Sequence, residues 1–346
     1  SFKSLLILFL GIEIISIPLY ILTGSDKRNL KSNEASLKYF LLGSFSTGLM
    51  LMGIALIYGA MGTFDTSVIG SFTATAPSAL LIAGMLLLLF SMAFKASVAP
   101  FHFWTPDVYD GAPTVFTSFM ATIVKAAVFI AFIRLFDDAF GFRQKQWQLF
   151  VAILTVATLF IGNITAVFQQ SVKRMLAYSS IAQAGFMMLS LYAMNSDAKE
   201  GLLLYTVAYS FATIGIFAVL IKMKDYTFDG FNGFAKKQPL LAATTTIFLL
   251  SLAGIPLTAG FLSKFYMLKA AMGGNGANLW LVIFAVVMAA VSVYYYFRVI
   301  QSMYFKEGDT HPIEVNAPFK WTLVVLAGLV ILLGIFPNLL LSWLYF

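Results

Sequence analysis

The stretch that decides the fold is residues 79–104, ALLIAGMLLLLFSMAFKASVAPFHFW. Most of it is apolar, and about 20 such residues in an α-helix cross the hydrocarbon core of a bilayer. Two residues interrupt the pattern: Lys95 puts a charge into the apolar run, and Pro100 follows shortly after it. Because proline lacks a backbone N–H and clashes with the preceding turn, it ends or kinks a helix. The stretch therefore predicts a membrane helix that breaks beside a buried lysine.

The rest of the chain has the same apolar character. Of its 346 residues, 60% are hydrophobic and 11% are charged, and the mean hydropathy is +0.88. These values exclude an ordinary soluble domain, and the long apolar runs exclude the alternating strands of a membrane β-barrel. The chain contains no cysteine, which excludes iron–sulfur ligation by thiolates. The composition predicts an all-α polytopic protein in a lipid bilayer.

The apolar runs predict about ten transmembrane helices. Their predicted bounds are 3–23, 35–60, 79–100, 114–135, 148–168, 174–194, 201–222, 240–271, 278–304 and 319–344. The eighth is interrupted at Gly254-Ile255-Pro256, as the third is at Pro100. These two broken helices cross the membrane in opposite directions, which indicates inverted-topology repeats around a site near the midplane.

The predicted loops carry most of their Lys and Arg on one side, for example Lys27, Arg28, Lys173 and Arg174. Cytoplasmic loops are enriched in these residues, so this side is predicted to be cytoplasmic, with both chain ends on the outer, periplasmic side. The same bias accounts for the net charge of +7, and no nucleic acid is expected as a partner. Because the sequence starts at Ser1 inside an apolar run, we expect further residues upstream.

Four charged residues lie inside apolar runs: Glu13, Lys95, Lys125 and Lys264. A charge at mid-bilayer costs at least ~3 kcal/mol on insertion scales, so such residues usually face a bundle interior or a water-filled path and often mark an ion or proton route. We predict that Glu13 and Lys95 form an ion pair that acts as an electrostatic switch. Lys264 follows the second break, where freed backbone groups favour a hydrated pocket. The alternative is structural, with Glu13 hydrogen-bonded to a neighbouring helix and Lys125 held by backbone carbonyls.

Four further polar residues are candidates for the same route. Lys38 either belongs to it or snorkels to the membrane interface. His102, just after the first break, either passes protons or makes a hydrogen bond at the interface. Tyr178 and Gln183 belong to a polar stripe that is either a proton path or a helix–helix contact. A separate group is predicted to form an interfacial belt: Tyr294, Tyr295, Tyr296 and Arg298.

Motifs for covalent or cofactor chemistry are absent from the sequence. It contains no P-loop, no GxGxxG after a strand, no catalytic triad and no clustered metal ligands. We therefore expect no metal, no bound cofactor and no covalent chemistry in this chain.

Several stretches resemble a known family. They are residues 9–20, FLGIEIISIPLY; residues 93–109, AFKASVAPFHFWTPDVY; residues 173–181, KRMLAYSSI; and residues 251–266, SLAGIPLTAGFLSKFY. They resemble the fifth, seventh, tenth and twelfth helices of the antiporter-like subunits of proton-pumping NADH–quinone oxidoreductase (respiratory complex I), and among these subunit N. The resemblance covers essentially the whole chain, and it implies that the family's first four helices lie outside this sequence.

The resemblance also implies roles for the buried residues. Glu13 and Lys95 match the family's ion pair at the inter-subunit side, Lys125 its central bridging lysine, and Lys264 the terminal lysine of its second half-channel. Lys38 matches a lysine of the family's sixth helix. One position departs from the family pattern: relatives often carry histidine where this chain has Gln183, and because glutamine does not titrate, proton transfer there would need water.

The organisation implied by the resemblance has three parts. Residues 1–135 form a first antiporter-like repeat that lacks its opening helix, residues 148–305 form a second, inverted repeat, and residues 306–346 form a loop and a C-terminal transmembrane helix. The expected surroundings are a bacterial inner membrane and the neighbouring subunits M and K.

The implied function is that of a non-redox, proton-translocating subunit of the oxidoreductase, driven by quinone reduction elsewhere in the complex. NADH, FMN, the iron–sulfur clusters and the quinone would belong to other parts of the complex. One alternative is a subunit of a multisubunit sodium/proton antiporter, which would use the same lysines. Another is a structural spacer whose charges only stabilise assembly.

Overall fold

The computed structural model describes residues 2–72, 78–273, 278–308 and 314–342, and its extended regular elements in these ranges are helical. The helices of the first half are α1 (Leu5–Thr23), α2 (Leu30–Met61), α3 (Thr66–Gly70), α4 (Ala79–Lys95), α5 (Trp104–Gly111), α6 (Thr114–Phe119) and α7 (Lys125–Phe140). Those of the second half are α8 (Gln144–Val167), α9 (Val172–Ala193), α10 (Ser196–Lys222), α11 (Phe234–Lys237), α12 (Pro239–Ala253), α13 (Ala259–Met272), α14 (Leu279–Phe305), α15 (Ala317–Ile335) and α16 (Asn338–Leu341).

The predicted all-helical architecture is confirmed, and the apolar helices follow in the predicted order. A π-helical turn, Met120–Val124, joins α6 to α7, and a 3₁₀ turn, Gly141–Arg143, leads on to α8. This continuous stretch therefore contains two predicted spans. Among the described residues, six segments are long and apolar enough to cross a membrane, and the shorter helices α4 and α12 are also apolar. With the more polar α9, these segments correspond to the roughly ten spans expected from the sequence.

Both predicted helix breaks are present. At the first break, α4 ends at Lys95 itself. The chain passes Pro100 and becomes helical again at Trp104, where α5 begins. The indole N–H of Trp104 donates to the Phe94 carbonyl at 3.0 Å, which ties the two sides of the break together. The second break follows Ala253, where Gly254 adopts a φ of 84°. A glycine is suited to this left-handed C-cap because it has no Cβ to clash.

One predicted boundary is wrong. The last span was expected to run to residue 344, but α15 ends at Ile335. Pro337 follows, and the residue before a proline is disfavoured in the helical conformation, so Phe336 leaves the helix at φ −122° and ψ 67°. The chain then forms the short helix α16, and residues 343–344 lie outside the described part.

The helices pack most closely where small residues meet. A Cβ added to Gly84 of α4 would lie 2.7 Å from the Gly53 carbonyl of α2, and one added to Gly162 of α8 would lie 2.6 Å from the Ala182 nitrogen of α9. Small residues allow such close approach of backbones in membrane proteins. Since α9 is buried along nearly its whole length, it forms the centre on which the polar side chains of the neighbouring helices converge. The bounds of the two repeats, 1–135 and 148–305, stay a prediction.

Candidate functional site

Lys95 is held mainly by hydroxyl groups of α1. Its Nζ donates to Ser16 Oγ at 2.8 Å and to the Tyr20 hydroxyl at 3.3 Å. Only 5% of the Lys95 side chain is exposed, so these hydroxyls replace the water that an ammonium group needs. Neutral partners satisfy hydrogen bonds without supplying an opposite charge. The ammonium of Lys95 is therefore solvated by protein but not fully neutralised.

Glu13 lies close to this ammonium without making a tight ion pair. Its Oε1 is 4.0 Å from Lys95 Nζ, and it accepts a 2.8 Å hydrogen bond from Thr47 Oγ1 on α2. About a fifth of the Glu13 side chain is exposed, 20% against 5% for Lys95. The attraction between two charges varies inversely with distance and is strong where little water screens it. A small movement of α1 against α4 therefore changes this contact substantially.

Lys125 begins α7 directly after the π-helical turn. Such turns inside α-helices are frequent at functional sites. Its Nζ donates to the Ser180 carbonyl at 2.7 Å and to Ser180 Oγ at 2.6 Å, and the residue is only 2% exposed. The carbonyl contact that the sequence offered as a structural alternative is thus present, together with a hydroxyl that can also carry a proton.

A small cavity joins Lys95 to Lys125. Its volume is about 20 Å³, and both lysines line it, together with Tyr39, Trp104 and Tyr109. A cavity of at least about 10–15 Å³ with polar partners has room for one water molecule. Tyr39 stacks on Trp104 with ring centroids 4.6 Å apart, and Tyr109 meets Trp104 edge-on at 5.9 Å. These three rings form a wall on one side of the space between the two lysines.

Beyond Lys125, hydroxyl groups continue the polar row. Ser180 Oγ accepts a hydrogen bond at 3.0 Å from the Tyr209 hydroxyl of α10. One turn before Tyr209 in α10, the Tyr205 hydroxyl donates to Gln183 Oε1 of α9. Both tyrosine side chains are buried. The row therefore runs from Lys125 through a serine and a tyrosine towards Gln183.

Gln183 lies at the meeting point of four helices. Its Nε2 donates to the Leu252 carbonyl of α12 and to the Tyr296 hydroxyl of α14, each at 3.0 Å, while Tyr205 of α10 donates to its Oε1. The Tyr296 hydroxyl also shares a hydrogen bond with Ser179 Oγ. Both ends of the amide are thereby fixed, so Gln183 is a structural junction as well as the untitratable member of the row.

Lys264 folds back onto the helix break that precedes it. Its Nζ donates to the Leu252 carbonyl at 2.7 Å and to the Ala253 carbonyl at 3.1 Å, and it lies 4.8 Å from the centre of the Phe186 ring. The last carbonyls of a helix lack intrahelical partners and carry partial negative charge. The end of α12 therefore supplies the electrostatic partner for this lysine.

Gln183 and Lys264 both donate to the Leu252 carbonyl, and they also line the same cavity. This second cavity has a volume of about 10 Å³ and is also lined by Tyr205 and Tyr209. This volume is at the lower limit for one water molecule. Among the described residues, no carboxylate forms an ion pair with Lys125 or Lys264, in contrast to Lys95. The row from Glu13 to Lys264 therefore carries three buried lysines and one carboxylate.

Lys38 belongs to a separate cluster that includes Asp107 in the first turn of α5. Its Nζ lies 2.6 Å from Glu34 and 2.7 Å from Asp107, and Asp107 also receives a 2.9 Å hydrogen bond from Arg174 of α9. We call Lys38, Asp107 and Arg174 the clasp. Lys173 reinforces it by donating to the carbonyls of Asp110 at 2.9 Å and of residue 112 at 2.7 Å. The Lys38 side chain is 40% exposed, so it is paired at the surface and is not part of the buried row.

The clasp gives a stability prediction with a defined pH dependence. Burial of the Asp107 carboxyl opposes its charge, but hydrogen bonds from Lys38 and Arg174 outweigh that cost and hold its pKa below the usual value. Because the folded pKa lies below the unfolded one, the stabilisation is complete above the unfolded value of about 3.9 and is lost as the pH falls through the folded pKa. Asp107→Asn should therefore lower the thermal midpoint of the purified protein at pH 7, by the equivalent of about 1 kcal/mol or less.

The measurement is a series of thermal midpoints from pH 7 downwards. The difference between wild type and Asp107→Asn should stay constant to about pH 5 and shrink below about pH 4. Glu307→Gln is the control, because its 3.6 Å pair with Lys236 is 93% exposed on the glutamate side and should contribute nothing measurable. Equal midpoints for wild type and Asp107→Asn at pH 7 would show that the clasp does not stabilise α5.

His102 and Tyr178 lie outside the buried row. His102 is 5% exposed, and its Nδ1 has no hydrogen-bond partner among the described residues, while its ring packs on Phe103 at 4.6 Å. Tyr178 is half-buried and packs against the apolar core. On α9 the residues that enter the row are its neighbours Ser180 and Gln183.

The predicted interfacial belt on α14 is wrong for two of its members. Tyr295 and Tyr296 are fully buried, whereas Tyr294 is 60% exposed. Successive residues of a helix differ in direction by about 100°, so Tyr294 faces outwards while Tyr295 faces α8 and Tyr296 faces α9. Tyr295 donates to Asn163 at 3.0 Å, and Tyr296 reaches Gln183. A buried tyrosine normally finds a partner for its hydroxyl.

Sequence reasoning missed the tyrosines of the row: Tyr205, Tyr209 and Tyr296. A signal was available for the first two, because residues four apart share one face of a helix, and that face of α10 meets the polar stripe of α9. For the described residues, no group of three His, Cys, Asp or Glu side chains is placed to hold a metal ion. The arrangement brings together groups that can donate and accept protons: the lysine side chains and the hydroxyls of Ser180, Tyr205 and Tyr209.

Comparisons with known proteins identify the family. The family model described as NADH:quinone oxidoreductase/Mrp antiporter, TM, matches residues 3–292. The chain is 44% identical over 349 residues to the NADH-quinone oxidoreductase subunit N of Cytophaga hutchinsonii, which covers 99% of this chain and 75% of that relative.

Two solved structures have the same fold. A chain of respiratory complex I from Thermus thermophilus with bound aureothin gives a TM-score of 0.87 at 36% identity, covering 99% of this chain and 75% of that one. A chain of the Mrp complex from Dietzia sp. DQ12-45-1b also gives 0.87, at 20% identity over 98% of this chain and 72% of that one, and shows likeness of fold alone. The chain thus belongs to the subunit N family of the NADH–quinone oxidoreductases.

Proposed function

We propose that this chain is a proton-translocating subunit in the membrane arm of an NADH–quinone oxidoreductase. It would perform no redox chemistry itself; quinone reduction elsewhere in the complex would supply the energy. The observation that carries the proposal is the buried row itself. Between Glu13 and Lys264, each polar group is linked to the next by a hydrogen bond, by the 4.0 Å contact of Glu13 with Lys95, or by a cavity of about 20 or 10 Å³.

The proposed cycle starts at the Glu13–Lys95 contact. A signal from the neighbouring subunit would reach Glu13, the more exposed of the two, and shift it towards Thr47 and away from Lys95. Loss of the carboxylate destabilises the ammonium, because a nearby opposite charge favours the charged form. Lys95 would then release its proton towards Lys125 through the water-sized cavity between them.

The second half of the row would complete the transfer. From Lys125 the proton has two hydroxyls next to it, since Ser180 contacts Lys125 and Tyr209 contacts Ser180. Tyr209 and Lys264 line the same small cavity, so a single water would bridge them past Gln183. The carbonyls at the end of α12 would stabilise the proton on Lys264. Each transfer changes the charge next to the following site, and so the steps are coupled.

The proposed setting follows the family. Subunits M and K are the expected neighbours, the bacterial inner membrane the expected location, and both chain ends would lie on its periplasmic side, as the distribution of Lys and Arg predicts. NADH, FMN, iron–sulfur clusters and quinone would be bound by other subunits. The sodium/proton antiporter alternative is supported by the family model, whose description includes the Mrp antiporter, and by the fold likeness to the Mrp structure at 20% identity.

The decisive experiment uses the assembled complex in sealed vesicles. NADH oxidation should drive proton uptake into the vesicles without sodium, and this chain should co-purify with subunits that carry flavin and iron–sulfur clusters. A pH change that depends on sodium in vesicles lacking those subunits would support the antiporter instead.

Replacing Lys95 by methionine tests the switch. The variant removes the ammonium that Glu13 faces but keeps an unbranched apolar side chain of similar length, so assembly should be preserved. We expect proton transfer through this chain to slow at least ~10²-fold, as for the loss of a positioned acid–base group. Pumping and NADH–quinone turnover would be measured together. Unimpaired pumping per NADH oxidised would exclude the switch, and failed assembly with normal pumping per complex would favour the structural spacer.

A further inference from the structure

A groove between α7 and α10 lies outside the buried row. Its cavity volume is about 360 Å³, far larger than either cavity of the row. It is located where α7 approaches its end at Phe140 and α10 begins at Ser196. Both helix ends mark the level at which the chain leaves the membrane on one side.

Four charged side chains line the part of the groove nearest to the end of α7 and the start of α10. Arg134 and Asp138 of α7 lie 3.3 Å apart, and Lys199 of α10 lies 2.5 Å from Asp137. These side chains are 37–50% exposed. The two positive and two negative charges are arranged in separate pairs, so the groove is neutral overall while presenting both signs of charge.

The donors of this cluster are only partly used. The 3.3 Å ion pair of Arg134 with Asp138 is made by Nε, which is buried and lacks hydrogen-bond geometry, so the pair does not engage the two terminal NH₂ groups of the guanidinium. A guanidinium has five N–H donors and an ammonium has three, so Arg134 and Lys199 keep donors available for an anionic oxygen. Arginine in particular binds phosphate through its planar fork.

The remaining lining of the groove is apolar and lies deeper in the membrane. On α7, Ile130 and Ile133 precede Arg134, and on α10, Leu202 and Leu203 follow Lys199. Going backwards along α7 from Arg134, and forwards along α10 from Lys199, the chain runs from the helix end into the hydrocarbon region. The groove therefore has charges of both signs at the membrane surface and aliphatic walls below them.

We propose that this groove binds one zwitterionic phospholipid with a primary ammonium group, such as phosphatidylethanolamine. Its phosphate accepts hydrogen bonds from Arg134 and Lys199, its ammonium donates to Asp137 and Asp138, and its first acyl carbons lie against the aliphatic walls. A primary ammonium donates N–H bonds to carboxylates, whereas the quaternary ammonium of phosphatidylcholine has no N–H to donate. The inference is independent of the proposed proton route.

The test measures lipid bound to the purified complex. Wild type, the double variant Arg134→Gln/Lys199→Gln and the control Lys269→Gln are washed with detergent, and retained phospholipid is counted by mass spectrometry. Lys269 is matched to Lys199, because it is also 50% exposed and pairs with Asp197 at 3.0 Å, but it does not line the groove. We expect wild type and Lys269→Gln to retain phosphatidylethanolamine and the double variant to lose one equivalent.

A rebinding assay on delipidated wild type makes the test independent of any variant. Phosphatidylethanolamine should rebind about tenfold better than phosphatidylcholine with the same acyl chains, as expected for one charge-assisted hydrogen bond. Asp137→Asn/Asp138→Asn should abolish that preference. Three outcomes would each overturn the proposal. The two lipids could rebind equally well, or the double variant could retain as much lipid as the control. The double variant could also lose a neighbouring subunit while keeping its lipid.

Discussion

Replacing Lys125 by methionine is expected to stop proton transfer through this chain while leaving the fold intact. Lys125 is 2% exposed, and it is the lysine that links the cavity at Lys95 to the hydroxyl of Ser180 and, through it, to Tyr209. Loss of a positioned acid–base group slows proton transfer ~10²–10⁴-fold. Substituting an apolar side chain of similar volume for a buried charge is often neutral or stabilising, so the complex should still assemble.

Lys125→Arg separates a proton carrier from a structural charge. An arginine keeps a positive charge and can donate to Ser180, but its guanidinium does not release its proton in proteins. If Lys125 transfers protons, the arginine variant should fail to pump as the methionine variant does. If the charge only stabilises assembly, arginine should restore both assembly and pumping.

The measurement is proton uptake per NADH oxidised by the assembled complex in vesicles. Lys236→Met is the matched control, since Lys236 is 72% exposed and pairs with Glu307 at the surface; it should pump as wild type does. Normal pumping by Lys125→Met would exclude this lysine from the route, and normal pumping by Lys125→Arg would favour the structural spacer.

The helix breaks were predictable because their causes are local. Pro100 and the Gly254-Ile255-Pro256 stretch act on their own backbone, and each lies in an apolar run that is otherwise helical. The same holds for the four charges inside apolar runs, whose cost follows from the apolar residues around them. The end of α15 had a local cause as well, since Pro337 was visible in the sequence.

The partners of the charges were less predictable, because they depend on helix rotation and packing. Lys38 meets Asp107 across 69 positions, and Lys125 meets Ser180 across 55. Neither spacing has a period that a single helix could reveal. The burial of Tyr296 depends on which face of α14 turns towards α9, and the π-helical turn before Lys125 occurs without a proline or glycine in its five residues. Such features require the packed bundle.

Replacing Gln183 by leucine is expected to interrupt the row at its centre. The variant leaves the Tyr205 hydroxyl without its acceptor and removes the donor to the Leu252 carbonyl and to Tyr296. A buried polar group without a partner costs ~1–3 kcal/mol, so the thermal midpoint should fall. Proton uptake per NADH oxidised should fall too, because an apolar side chain replaces the amide that lines the cavity shared by Tyr209 and Lys264.

Gln183→His distinguishes the loss of stability from the loss of the route. Histidine keeps hydrogen-bonding atoms at this position and adds a group whose unperturbed pKa is about 6.5. We expect it to assemble and pump, because the imidazole can accept and donate a proton where the amide cannot. Gln148→Leu is the control: it removes a 3.1 Å hydrogen bond to the Tyr192 carbonyl away from the row and should lower stability without affecting pumping. Full pumping by Gln183→Leu would show that protons do not pass this position, whereas an assembled Gln183→His that fails to pump would show that the amide itself is required.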